Sequence, residues 1–237
     1  MLMRDRVIVA LDNMNQEQVL QFLPLIKGKI STVKVGLELY YRTGPNFVRQ
    51  LHEQGFAIFL DLKLHDIPHT VAQAIDALAG LPVKFLTIHL SGGPRMVQEA
   101  AAQAQKVLPQ TTLLGVSFLT SLDQQDLRNM FFLAPENIAP AFKRFFALAA
   151  QHNLGIILSP QELPWAVEVE QEIHPLLKIC PGIRFTDNGQ DDQKRISTPQ
   201  DAFAQRADYV VIGRALTQAT PEVLAQRLDL LSAPLPS

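Results

Sequence analysis

The sequence predicts an α/β fold, a closed (β/α)8 barrel in a single domain, from three observations. Short apolar, β-branched runs recur along the chain, longer amphipathic stretches separate them, and no linker interrupts the alternation. The runs lie at 7–11, 32–36, 57–62, 85–90, 112–116, 155–158, 177–180 and 209–212. They number about eight, the count that closes a TIM barrel. Each run is apolar throughout, so both of its faces need cover, which favours a parallel barrel or a doubly wound sheet over an antiparallel sandwich. Among the intervening stretches, 67–81 places Val71, Ala74, Ile75 and Leu78 on one helical stripe, and 138–151 does so with Ala141, Phe142, Phe145 and Ala149. With no Gly/Ser linker or low-complexity tract, residues 1–237 read as one domain, with 234–237 as a frayed end.

Composition narrows the function. Hydrophobic residues make up 47% of the chain, enough for a sizeable core, and the formal charge of −2 offers no basic field for a nucleic-acid backbone. An anionic ligand must therefore be held by a few well-placed cations and backbone amides. Cys180 is the only cysteine, which excludes an intrachain disulfide and a multi-cysteine metal site and suits a reducing compartment. The apolar run that follows Arg4, Asp5 and Arg6 is far too short for a signal peptide or a membrane span. A cytoplasmic location and no membrane partner are expected.

Barrel chemistry sits at the C-terminal ends of the strands. There the sequence sets Asp12 after strand one, Lys34 in strand two, Asp61, Lys63 and Asp66 at strand three, His89 at strand four, and Ser117 and Thr120 after strand five. Pro181 to Arg184 follow strand seven, and Gly213 and Arg214 follow strand eight.

Residues 59–70 read FLDLKLHDIPHT. Strand alternation puts Asp61 and Lys63 on one face, into the barrel mouth, and turns Leu60, Leu62 and Leu64 outward. Burying such a pair costs several kcal/mol unless further partners satisfy it, so a purely structural ion pair is the weaker reading. Lys34 beside them would set carboxylates and ammoniums in alternation. Carboxylates around a lysine favour its ammonium form, which suits Lys63 to donating a proton rather than acting as an amine nucleophile. Asp66 precedes Ile67 and Pro68 where a helix opens, so helix capping accounts for it as well as catalysis does. The spacing of His65, His69 and His89 matches no common metal-ligand pattern. Gly92 and Gly93 read as a turn, and the phenylalanines at 131, 132, 142, 145 and 146 as core or interface.

The segment DLKLHDIPHT at 61–70 resembles the signature of the orotidine 5′-phosphate decarboxylases. The likeness continues in order through VALD at 9–12, KVG at 34–36, HLSGG at 89–93, SFLTS at 117–121, PGIR at 181–184, DDQKR at 191–195 and VIGRAL at 211–216. Cys180 stands where that pattern has a threonine, and the loop at 185–192 is acidic.

The resemblance implies decarboxylation of orotidine 5′-monophosphate to uridine 5′-monophosphate, in pyrimidine biosynthesis, without metal or other cofactor. Lys63 would protonate C6, Asp61 would face the substrate carboxylate, and Lys34 would complete the charged network. Asp66 and Thr70 would reach into the partner's site of a homodimer. Asp12 and Lys34 would hold the ribose hydroxyls, and Ser117 and Thr120 the pyrimidine or its closing loop. Gly213 and Arg214 would bind phosphate, as barrels tend to do after strands seven and eight. Pro181, Gly182 and Arg184 belong to the strand-seven loop, and Gln193, with Gln190 close by, would close over phosphate and base. Two rivals stand beside this reading. One is a magnesium-dependent sugar-phosphate enzyme, such as a 3-keto-gulonate 6-phosphate decarboxylase or a hexulose phosphate synthase. These share the Asp-x-Lys-x-x-Asp run but carry an acidic residue on strand two, where this chain has Lys34. The other is a silent phosphate-binding barrel, in which nothing would maintain the buried charges.

Overall fold

The computed structural model describes residues 1–185 and 197–236. Eight parallel strands close into a barrel in chain order: β1 (Val7–Ala10), β2 (Thr32–Gly36), β3 (Ala57–Leu64), β4 (Val83–His89), β5 (Thr112–Val116), β6 (Gly155–Ile157), β7 (Lys178–Cys180) and β8 (Tyr209–Ile212). β8 pairs back onto β1, with Val9 opposite Ile212, so the sheet has no edge. The helices that wrap it are α1 (Gln16–Ile26), α2 (Leu37–Glu53), α3 (Pro68–Asp76), α4 (Gly93–Val107), α5 (Gln124–Phe131), α6 (Pro135–Gln151), α7 (Leu163–Glu172), α8 (Pro199–Ala204), α9 (Arg214–Thr217) and α10 (Pro221–Leu230).

The expected strands are all present, and the bounds of one strand and one helix differ informatively from expectation. β3 runs to Leu64, two residues past the apolar run, because its charged end stays in the sheet. The helix expected over 67–81 ends at Asp76. Beyond it Leu78, Ala79 and Leu81 donate to carbonyls three residues back, tightening the chain into turns that finish at Gly80 with φ 74°. Leu78 is still buried, so the apolar stripe outlasts the helix that was inferred from it.

Two apolar layers fix the frame. Ile8, Ala10, Phe59, Phe85, Leu114, Val116, Ile157, Ile179 and Val211 fill the barrel interior, and a larger cluster packs the outward strand residues against the helices. Near the start of β7, the buried Lys178 ammonium is held by Glu170, by Asp208 at 3.2 Å and by the Leu176 carbonyl at 2.9 Å. That cluster ties α7, β7 and the approach to β8 together, at the end of the barrel opposite the charged residues of β2 and β3. Among the described residues no helix is long and apolar enough to cross a membrane.

Candidate active site

Register places the charges. Ala10 pairs with Lys34 and Lys34 with Phe59, and Ala10 and Phe59 both face the barrel interior, so Lys34 does too. Asp61 follows Phe59 by two residues and shares its face. The Lys34 ammonium sits between two carboxylates, 2.8 Å from Asp12 Oδ1 and 3.3 Å from Asp61 Oδ2. Lys63 Nζ lies 2.8 Å from both Asp61 oxygens. The order across the mouth is therefore Asp12, Lys34, Asp61, Lys63, as the alternating array requires. Lys34 and Asp61 are buried, while the Asp12 side chain is 49% exposed, so desolvation falls mainly on the inner pair. Removing one member of such a buried pair costs roughly 3–5 kcal/mol, because its partner is left without compensation.

Gly36, within the KVG motif, is a spatial requirement of this array. A Cβ at Gly36 would lie 2.7 Å from Asp12 Oδ1 and 3.2 Å from Lys34 Nζ, inside the ion pair itself.

Simple alternation does not carry through to Lys63. Lys63 adopts φ 47°, in the left-handed region, and the β3–β4 ladder is interrupted there: Leu60 pairs with Leu86, and the next pair is Leu64 with Ile88. The Lys63 N–H instead donates to Thr87 Oγ1 at 2.8 Å, and that hydroxyl donates to Asp61 Oδ1 at 2.9 Å. Thr87 is fully buried on the inward row Phe85, Thr87, His89 of β4. Sequence reasoning stopped at His89. Two residues before His89 on the same strand, Thr87 shares its inward face, but a threonine inside a strand carries no functional signal of its own.

The electrostatics favour an ionised Asp61. Burial alone pushes its carboxyl up, but the ammoniums of Lys34 and Lys63, with hydrogen bonds from Lys63 and Thr87, outweigh it and hold the group below the usual carboxylate range. His89 is lowered to about 4, first by burial and then by His65 and Lys63, against a smaller opposing effect of Asp61. Its ring is 5.0 Å from that of His65, whose Nε2 is 3.4 Å from Ser91 Oγ. Among the described residues no three His, Cys, Asp or Glu side chains form a group able to hold a metal ion.

Two concavities meet at the mouth. A cavity of about 280 Å³ is walled by Asp12, Lys34, Asp61 and Lys63 on one side and by Phe118, Leu119, Thr120 and Pro181 on the other. A groove of about 660 Å³ adjoins it, sharing Asp12, Gly182, Val211 and Gly213, and carries Arg184 and Arg214. An anionic tail could lie in the groove while a flat ring occupies the cavity. Arg227 also lines the groove, but its guanidinium donates to the Ala215 carbonyl and lies 5.1 Å over the Phe185 ring.

The remaining sequence-derived residues divide. Ser117 is buried behind the cavity wall, and its hydroxyl has no partner among the described residues. Gln193 and Gln190 lie outside the described residues. Asp66 and Thr70 are exposed and line neither concavity of their own chain. Asp66 is not the helix cap: the N-cap of α3 is Ile67, with Pro68 in the first turn, and the Asp66 carboxylate accepts the Ile67 N–H at 2.7 Å. The extra residue between Asp66 and the helix puts its carboxylate one position too early to reach the free amides of the first turn. Cys180 packs as a small hydrophobe, its thiol pushed up by burial and next by Glu162.

The chain resembles known proteins over nearly its full length. The chain is 40% identical over 232 residues to an orotidine 5′-phosphate decarboxylase of Vibrio cholerae, covering 94% of this chain and 96% of that protein. The crystal structure of orotidine 5′-phosphate decarboxylase from Lactobacillus acidophilus superposes with a TM-score of 0.77 at 32% identity, covering 96% of this chain and 98% of the other. That of an orotidine 5′-monophosphate decarboxylase from Methanocaldococcus jannaschii, complexed with the inhibitor BMP, shares the fold with a TM-score of 0.74 at 18% identity, covering 96% and 98%. A family model described as orotidine 5′-phosphate decarboxylase / HUMPS matches residues 5–227. The chain belongs to the orotidine 5′-phosphate decarboxylase / HUMPS family.

Proposed function

We propose that this protein decarboxylates orotidine 5′-monophosphate to uridine 5′-monophosphate, with Lys63 delivering the proton to C6. The observation that carries this reading within the family is Lys34. Its ammonium lies between the Asp12 and Asp61 carboxylates, 2.8 and 3.3 Å away, where the magnesium-dependent relatives have an acidic strand-two residue. An ammonium there supplies the positive charge and repels a divalent cation.

The chemistry asks for this array. When the bond from C6 to the carboxylate breaks, carbon dioxide leaves and the electron pair remains in an sp² orbital at C6, out of conjugation with the ring. Stabilisation must come from cations already in place, and in this reading Lys63, held on Asp61, meets that pair and then protonates it. Lys63 loses one proton to C6 and regains it from solvent. Asp61, held ionised, faces the substrate carboxylate and keeps both lysines in line. Asp12 and Lys34 take the ribose hydroxyls, and Thr120 and Pro181 wall the pyrimidine. Ser117 contributes its buried hydroxyl to the pyrimidine. The phosphate lies in the groove against Gly213, Arg214 and Arg184, where guanidinium geometry suits its oxygens and binding energy far from C6 can be used to orient the reacting ring.

The site is read as shared between two subunits of a homodimer. Support comes from Asp66 and Thr70, which are exposed beside Ile67, itself 66% exposed, and which line neither of the two concavities at the mouth. In that reading Asp66 and Thr70 reach the site of the second copy rather than their own. The single, buried cysteine suits a cytoplasmic setting.

The deciding experiment follows pyrimidine absorbance after addition of orotidine 5′-monophosphate, before and after exhaustive chelation. Turnover that survives chelation is expected. A folded protein with no turnover would refute the assignment, and turnover lost on chelation and restored by magnesium would favour the sugar-phosphate branch.

A further inference from the structure

We propose that Thr87 is a positioning residue whose one hydroxyl holds both the Asp61 carboxylate and the backbone that aims Lys63. This deepens the functional reading above and rests on it for the roles of Asp61 and Lys63. Thr87 is fully buried and lies behind Asp61, outside the cavity wall, so it acts through its neighbours. A hydroxyl carries one proton and two lone pairs, and Thr87 uses both functions: it donates to Asp61 Oδ1 at 2.9 Å and accepts from the Lys63 N–H at 2.8 Å.

The second bond explains a local irregularity. Between the pairs Leu60–Leu86 and Leu64–Ile88, three residues of β3 stand against the single Thr87 of β4, so the Lys63 N–H has a side-chain acceptor in place of a ladder carbonyl. Lys63 holds φ 47°, a conformation that costs a residue with a Cβ about 1–2 kcal/mol and persists only where surroundings hold it. The Thr87 hydroxyl is that restraint. Without it the N–H loses its acceptor, the backbone is free to leave the left-handed region, and the ammonium moves with it. Asp61 loses one of its stabilising donors in the same step.

The test compares Thr87→Val and Thr87→Ala, which lack the hydroxyl but differ in volume, with Thr87→Ser, which keeps it. Turnover of orotidine 5′-monophosphate and the titration of the Asp61 carboxyl carbon by NMR are measured on each. The Val and Ala variants are expected to lose about 10- to 100-fold in kcat, the scale of a small misplacement of a reacting group, with KM within about threefold of the parent. Their Asp61 midpoint moves to higher pH. Thr87→Ser keeps kcat within about threefold of the parent and leaves the midpoint in place, a pattern that filling space alone would not produce. The proposal is overturned if Thr87→Val retains the parent's kcat and Asp61 midpoint, or if Thr87→Ser falls as far as Thr87→Val. It is overturned too if both hydroxyl-free variants fail to fold, because the hydroxyl would then serve the barrel rather than the site. Should the parent itself fail to turn over substrate, the functional reading fails, and the Asp61 midpoints still decide whether Thr87 holds that carboxylate.

Discussion

The Lys63 ammonium is bound symmetrically by Asp61, 2.8 Å from each carboxylate oxygen, while Asp61 is also 3.3 Å from Lys34. Lys63 is thus the outer cation of a pair that share one carboxylate. Lys63→Ala is expected to lower kcat/KM by at least about 10⁴-fold, since it removes both the proton donor and the nearest positive charge. Asp61 keeps Lys34 and Thr87, so the loss in stability should stay below the roughly 3–5 kcal/mol of a fully orphaned buried charge. Steady-state kinetics and urea unfolding on the same preparation separate the two effects.

Asp61 should also mark the acid limb of stability. Its folded carboxyl lies below the ordinary value near 3.9, so the folded state binds fewer protons than the unfolded chain as pH falls through that value. Its contribution is present above the unfolded pKa and lost as pH falls toward the folded one. The stability difference between the parent and Asp61→Asn should therefore be largest above about pH 5 and shrink as pH drops toward 3. A difference independent of pH in urea unfolding series would contradict the ionised, doubly paired Asp61.

His89 makes a separate pH prediction. Burial and the neighbouring His65 and Lys63 lower it to about 4, against an ordinary value near 6.5. The unfolded chain therefore binds a proton between those values that the folded chain does not. Stability from this residue is complete above about pH 6.5 and declines as pH falls toward 4. Replacing it by His89→Gln should flatten that part of the melting-temperature profile. NMR titration of the imidazole should find it neutral at pH 6, and a midpoint near 6.5 would remove the basis for the effect.

The eight strands were legible because a barrel strand buries both faces and so appears as an unbroken apolar run. Asp12, Lys34, Asp61 and Lys63 were legible because charges at the ends of such runs have few structural reasons to be there. Thr87 was not, because threonine is ordinary inside a strand and its value comes from a ladder interruption that only the paired strands reveal. The left-handed Lys63 was hidden for the same reason, and Asp66 left capping and catalysis equally open because the sequence does not reveal that the helix begins after Ile67 rather than at it. Gly36 was quoted within a motif, yet its need for glycine depends on Asp12 approaching from another strand end.

That approach makes Gly36→Ala a sensitive substitution. The added methyl meets Asp12 Oδ1 at 2.7 Å, and Asp12 is the half-exposed member that can swing away. Displacing it weakens its bond to Lys34 and the ribose contacts assigned to both. KM is expected to rise about 10-fold, the scale of one charge-assisted hydrogen bond, with a smaller fall in kcat. Wild-type KM in a folded Gly36→Ala protein would show that the strand ends can part without consequence.

Asp66 and Thr70 supply the last prediction: both are exposed near Ile67, and the proposed homodimer would carry them into the partner's site. Lys63→Ala and Asp66→Ala subunits should each be inactive as homodimers. In a hybrid, one site carries both substitutions, and the other receives Lys63 from one chain and Asp66 from its partner. That second site is intact. Exchanging equal amounts of the two proteins yields about half hybrid dimers, each with one of two sites working, so activity should return to roughly a quarter of the parent's, by the two-fold symmetry of the assembly. Mass spectrometry confirms exchange in the same sample. If hybrids form and activity stays absent, Asp66 acts within its own chain, and its distance from the cavity must then be closed by movement of the segment between β3 and α3.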